Sequence, residues 1–258
     1  MKKILISIIS VIICVGATKL IGECVGPFSS NMYVNNCVGE LVLAVFVLIA
    51  LVLCKRTNVL KFKTEGFKEG IATGAIILVL GACVLITVLI GEMSISASSF
   101  EIVFFVFYML LVGFAEEVLF RGIVQNSVME YIGTDSVAKV RIGIVISGVL
   151  FASIHMGNVL LPGVGYIDAF RQTISVIPIG ILFGTVYFRS RNNIWPGVLL
   201  HAFNDGFTLL MTGYISNGSV SEAISETTSS IAGTIIIFTI IDLWILRKKK
   251  LVDAVSMR

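Results

Sequence analysis

The chain has 258 residues, of which 57% are hydrophobic and 14% charged, and its mean hydropathy is +1.00. Soluble domains carry nearer a quarter charged residues, so a water-soluble globular protein is excluded, and no stretch between the apolar runs is long enough for a separate soluble domain. The net charge of +3 implies no nucleic-acid partner, because the basic residues cluster at the ends of apolar runs.

A membrane-crossing helix needs about 20 mostly apolar residues. Eight runs qualify: 4–22, 38–54, 70–91, 102–120, 142–160, 173–188, 194–213 and 229–246. The predicted fold class is therefore all-α, a polytopic integral membrane protein of about eight transmembrane helices, with residues 1–258 forming a single membrane domain. The first run follows Lys2 and Lys3 and also has the form of a signal peptide; retention as a span is the preferred reading. A lipoprotein site at Cys14 is disfavoured, since Ile13 stands where a small residue should precede it. Cys24 and Cys37 share the next loop and could pair in an oxidising exterior, although small buried hydrophobes near helix ends are the simpler reading.

The loops then alternate. Lys55, Arg56, Lys61, Lys63 and Lys68 follow the second run, and only Glu92 and Glu101 follow the third. Arg121, Lys139 and Arg141 follow the fourth, Arg171 alone the fifth, Arg189 and Arg191 the sixth, acids alone the seventh, and Arg247 to Lys250 the eighth. Lysine and arginine bias toward the cytoplasm sets orientation, so both termini are predicted to be cytoplasmic.

Spans one, two, three and eight read as plainly apolar. The interest lies in the others, because an ionisable side chain inside a bilayer is costly and marks function by default. Span four ends on Glu116-Glu117-Val118-Leu119-Phe120-Arg121. Adjacent glutamates on a helix point about 100° apart, so they do not make one paired-carboxylate site. Glu117 and Arg121 are i,i+4, in the favourable acid-before-base order, which assigns Glu117 to a structural pair and leaves Glu116 for chemistry. Span five carries Phe151 and His155. Span seven carries His201, Asn204 and Asp205, with His201 and Asp205 on one face. The chain has 2 histidines and both fall within predicted spans.

These three segments resemble the motifs of the CAAX-protease and bacteriocin-processing family, also called Abi: Glu-Glu-x-x-x-Arg, Phe-x-x-x-His and His-x-x-x-Asn/Asp, in order on three apolar helices. The resemblance covers about residues 101–213 and implies an intramembrane endopeptidase core of spans four to seven. It implies Glu116 as general base, His155 as partner in holding the attacking water, and His201 with Asp205 as stabilisers of the oxyanion. Many relatives have Asn where Asp205 stands. An amide donor suits an oxyanion, whereas Asp205 donates only as the protonated acid; Asn204 could supply the amide, or Asp205 could orient His201. Glu117, Arg121 and Phe151 would support the site.

The chemistry of the residues agrees. Peptide hydrolysis needs water, a base and donors for the tetrahedral intermediate. No Gly-x-Ser-x-Gly or His-Glu-x-x-His occurs, and no cysteine lies near a histidine in sequence. A metal-free, glutamate-activated water is the favoured reading; the alternative is a spread zinc site of Glu116, His155 and His201. The expected substrate is a membrane-associated peptide or protein, met in membrane lipid. The short chain looks bacterial, so a plasma-membrane location and a bacteriocin-type substrate are expected. Competing readings are a non-enzymatic immunity or interaction protein and a proton-relay transporter, the latter weakened by the lack of an apparent inverted repeat.

With Arg121 as the cytoplasmic marker, Glu116 lies about 8 Å inward and His155 about 21 Å from Arg141, at 1.5 Å per residue. Closing the site then requires helix five to start outside the bilayer or to break near Gly157 and Pro162. A long cytoplasmic projection over 122–141 is expected, with the site opening toward the cytoplasm.

Overall fold

The computed structural model describes residues 6, 9–14, 16, 27–92, 95, 97–161, 163–212, 219–229, 231–247 and 251. Most of the first predicted span, Cys24 and its proposed pairing, Pro162 and the basic cluster 248–250 lie outside the described residues. The fold is 82% helix, with no strand among the described residues.

Helix α1 (Met32–Leu53) is capped by Asn31, whose side chain accepts from the amides of Tyr33 and Val34. α2 (Phe67–Thr73) and α3 (Ala75–Leu89) form a bent pair, turned by 60° at Gly74. α4 (Ser99–Glu117) opens on a capping box in which the Ser98 hydroxyl and the Glu101 carboxylate each serve the other's backbone amide. That reciprocal bonding satisfies amides the first turn would otherwise leave bare. α4 runs on through a π-helical turn, Val118–Gln125, into α5 (Asn126–Ile132). α6 (Val137–Ser153) tightens into a 3-10 helix over Ile154–Leu160. α7 (Tyr166–Arg189), α8 (Trp195–Met211), α9 (Val220–Ser229) and α10 (Ile231–Ile245) complete the order.

Four helical runs, Met32–Leu53, Ser99–Ile132, Val137–Leu160 and Tyr166–Arg189, are long and apolar enough to cross a membrane, and the α2–α3 pair makes a fifth if counted as one bent span. α8 and α10, at 17 and 15 residues, are shorter than the eight-span reading requires of a full crossing. α9 falls in what was read as a polar loop.

The segment 122–141, expected as a cytoplasmic projection, is helical except for a turn at 133–136 and continues the long run Ser99–Ile132. All eight residues from Val118 to Gln125 are buried, and Arg121 is 0% exposed. The arginine charge, taken in the sequence as a mark of the water boundary, is fully buried. Inside the protein that charge is met by a partner carboxylate and carbonyl, so it needs no water. Only a short turn, 133–136, separates α5 from α6. Near Gly157 the helix does not break: it tightens into the 3-10 segment that carries His155, and Val137–Leu160 remains one continuous run.

Two close helix crossings set the geometry. Gly148 on α6 faces Gly180 on α7; a Cβ at Gly148 would sit 2.8 Å from the Ile181 backbone nitrogen, and one at Gly180 would sit 2.8 Å from the Gly148 carbonyl oxygen. Small residues let backbones approach in this way in membranes. Along the other flank of α7, Gln125 Nε2 donates to the Gly184 carbonyl at 2.9 Å and Asn126 Nδ2 to Tyr187 Oη at 2.9 Å. Gln125 of the π turn and Asn126 just after it are thus bonded to α7.

Replacing Gly148 by leucine should therefore force α6 and α7 apart and destabilise the protein by about 1–3 kcal/mol, seen as a lower melting temperature in detergent. Gly39→Ala on α1, where a Cβ meets nothing within 4 Å, should leave the melting temperature unchanged or slightly raised.

Candidate active site

The site is built on a buried ion pair. Arg121 Nη1 lies 3.3 Å from Glu117 Oε1, with both side chains 0% exposed. Arg121 Nη2 donates to the Gly180 carbonyl oxygen at 3.1 Å. Its guanidinium lies over the Phe151 ring at 4.5 Å and near the Phe183 ring at 5.6 Å. Such a planar, weakly hydrated cation suits an aromatic-walled interior better than an ammonium would. The pairing expected from the i,i+4 spacing is present, and the aromatic residue four before His155 is one wall of it.

Glu117 also reaches α8. His201 Nδ1 and Glu117 Oε1 are 2.9 Å apart. Because Glu117 is held as a carboxylate by Arg121, it accepts, and the proton sits on Nδ1. The imidazole is stacked on Phe183 at 4.6 Å and meets Phe151 edge-on at 5.7 Å. Ring orientation and tautomer are therefore both fixed, as a carboxylate behind an imidazole commonly does. The sequence reading gave Glu117 only the arginine; its contact with His201 stands beside the one that Asp205 makes with the same ring.

The far nitrogen, Nε2, faces two further carboxylates. It lies 3.4 Å from Glu116 Oε2 and 3.4 Å from Asp205 Oδ2. Asn204 Nδ2 donates to Asp205 Oδ1 at 3.1 Å, so the amide and the acid act on each other. Glu116 and Asp205 are 22% and 29% exposed at the side chain, whereas Glu117 is sealed. His155 is half-buried, with its ring 5.5 Å from that of Phe151, and His201 and Asp205 are its charged neighbours. No hydrogen bond joins His155 to Glu116 among the described residues. Its Nδ1 is buried without a partner of good geometry, near the Phe151 and Ala152 carbonyls. The site thus brings Glu116, Glu117, His201, Asn204 and Asp205 into direct contact and holds His155 beside them.

This convergence depends on α4 and α8 touching backbone to backbone. A Cβ at Gly113 would come within 2.7 Å of the Val198 carbonyl oxygen, and one at Gly197 within 2.7 Å of Glu117 Oε2. The π turn after Glu117 widens the helix there, a device common at functional sites, and sets Arg121 toward α7 while Glu116 and Glu117 face α8.

As for zinc, among the described residues no three His, Cys, Asp or Glu side chains converge in a metal-binding arrangement. His201 has Nδ1 against Glu117 and Nε2 against Glu116 and Asp205.

Two acids inside helices were overlooked in the sequence, Glu40 on α1 and Asp242 on α10. Each has at least one carboxylate oxygen buried without a hydrogen-bond partner. Both lie in runs read as plainly apolar. The signal that could have found them is the same one used for spans four, five and seven, an ionisable residue inside a span.

Residues 98–207 match the family model described as type II CAAX prenyl endopeptidase Rce1-like. No curated protein and no solved structure matches the chain.

Removal of the cation should leave the Glu117 charge buried and unpaired, at a cost of about 3–5 kcal/mol. Arg121→Leu is expected to lower the melting temperature sharply. Arg121→Leu with Glu117→Gln should recover a large part of that loss, which a double-mutant cycle on thermal or denaturant unfolding would measure.

Proposed function

With residues 98–207 forming an Rce1-like domain of the CAAX-protease family, we propose that the protein is a glutamate-dependent intramembrane endopeptidase that cuts a membrane-associated peptide. The observation that carries this reading is the contact of Glu116 with an imidazole whose other nitrogen is fixed by a buried carboxylate. A base, an oriented donor and an acid then face one another from within two separate apolar helices, which lipid packing alone does not require.

The proposed reaction uses this chain's residues alone. Glu116, with His155 beside it, holds a water and takes its proton as the oxygen attacks the scissile carbonyl carbon. Negative charge develops on the carbonyl oxygen. His201 supplies Nε2–H toward it, with Glu117 behind Nδ1 supporting the imidazolium, and the remaining N–H of Asn204 is a further donor. The tetrahedral intermediate then breaks its C–N bond, and the leaving nitrogen receives the proton from Glu116. Asp205, held by Asn204 and against His201, keeps the imidazole charged rather than serving as a donor itself. Asp at this position thereby becomes intelligible where relatives carry Asn.

The substrate class follows from the setting: a peptide or protein anchored in the same membrane, of CAAX type or a bacteriocin-type peptide, with the protein in a bacterial plasma membrane. Cytoplasmic access accords with the basic loops at that side of spans four and six.

Glu116→Gln should reduce peptide cleavage by about 10²–10⁴-fold, the usual reach of a positioned base, while the chain still inserts and folds. The measurement is a comparison of membrane-peptide termini in cells producing wild type or Glu116→Gln. New C-termini that appear only with the wild type support the proposal and identify the substrate; identical termini contradict it. Asp205→Asn should keep activity within about tenfold, whereas His201→Ala should lose about 10²–10³-fold.

A further inference from the structure

A third helix brings a carboxyl group to this site. Glu40 lies in the third turn of α1, the helix that packs along α4 outside the 98–207 segment. Its charged neighbours are Glu116 on α4 and Asp205 on α8, with the Cys37 thiol one turn back on α1. Its Oε2 is buried with no hydrogen-bond partner among the described residues. Glu116 and Asp205, by contrast, each have the His201 ring at 3.4 Å.

Chemistry then distinguishes the three acids. Carboxylates gathered in a poorly hydrated space do not all ionise, and they titrate as a coupled set. Two of these share an imidazole; Glu40 has no lysine, arginine or histidine against it among the described residues. The acid without a cation is the one that keeps its proton, and a protonated carboxyl is a hydrogen-bond donor as well as an acceptor. A carboxyl in a membrane helix with an unsatisfied oxygen is a cost to stability, so packing does not account for it.

We infer that Glu40 is a positioning residue of the hydrolytic site, a neutral carboxyl brought in by α1 whose O–H donates through one water to the Glu116 carboxylate. Glu40 keeps its proton throughout; Glu116 still takes the proton from the attacking water and gives it to the leaving nitrogen. The donated bond fixes which Glu116 oxygen faces the substrate and spreads the negative charge between α1 and α4. The inference rests on the hydrolase reading given above and extends the site beyond the matched domain.

The test uses the full-length protein in detergent or liposomes with three variants and two readouts. Glu40→Leu removes the donor and should lower kcat by about 10–100-fold, the usual effect of losing a supporting hydrogen bond, with KM changed less than about threefold. Its melting temperature should be equal to or above that of the wild type, since an apolar group replaces an unsatisfied oxygen. Glu40→Gln keeps an N–H donor and should stay within about threefold of the wild type. Independently of turnover, infrared difference spectra should show a protonated-carboxyl C=O stretch in the wild type that Glu40→Gln lacks. Wild-type kcat in Glu40→Leu, a loss in Glu40→Gln as deep as in Glu40→Leu, or the absence of that infrared difference would each overturn the inference. A wild type whose cleavage does not depend on Glu116, judged with Glu116→Gln, would overturn the hydrolase reading and Glu40's catalytic part with it. The infrared band needs no turnover, so it tells that failure apart from the loss of the neutral carboxyl.

Discussion

A single buried cation organises this protein. Arg121 is fully covered, with Glu117 and the Gly180 carbonyl as polar partners and the Phe151 and Phe183 rings against its guanidinium. Taking a guanidinium and a carboxylate out of water costs several kcal/mol per ion, recovered only when geometry and additional bonds are good. Here the additional bonds are what tie the site together. The same Glu117 oxygen that meets Arg121 also meets His201 Nδ1, and the same two phenylalanine rings that cover the cation also hold the imidazole. Charge burial and site orientation are one interaction network rather than two.

The network exists only because the helix backbones come unusually close. Glycines at 113 and 197 let α4 lie against α8, and those at 148 and 180 let α6 lie against α7. The π turn then redirects the side chains that follow Glu117, so that one helix faces α8 with its acids and α7 with Arg121, Gln125 and Asn126. On the far side of the imidazole, the more open carboxylates Glu116 and Asp205 share Nε2. The result is a sealed half that orients and a more accessible half that can react. Such a division suits hydrolysis inside a membrane, where water must reach one group and be kept from its supports.

Much of this was legible in the sequence, and the reasons differ from residue to residue. Helical class and membrane setting follow from composition and apolar run length. The Glu117–Arg121 pair follows from i,i+4 spacing, and the grouping of Glu116, His201 and Asp205 from the cost of placing such groups in lipid. Spacing within one helix says nothing of a partner on another, so the Glu117–His201 contact was invisible, as was the place of Phe183. Arg121 was read as a boundary marker because charge is ordinarily a guide to water; a fully paired, buried arginine breaks that rule. Glu40 escaped notice for a similar reason. It stands near the start of its apolar run and so resembles a helix end, but α1 begins eight residues earlier, at Met32.

The central claim is that Arg121, acting through Glu117, fixes the His201 ring. With 2 histidines in the chain, selective 15N labelling gives a direct view of both by NMR. The account predicts a protonated His201 Nδ1 in contact with the Glu117 carboxylate carbon. In Arg121→Leu protein that remains folded, that resonance should shift and the contact weaken, while the His155 signals change far less. An unprotonated His201 Nδ1, or a His201 ring indifferent to the loss of Arg121, would contradict it.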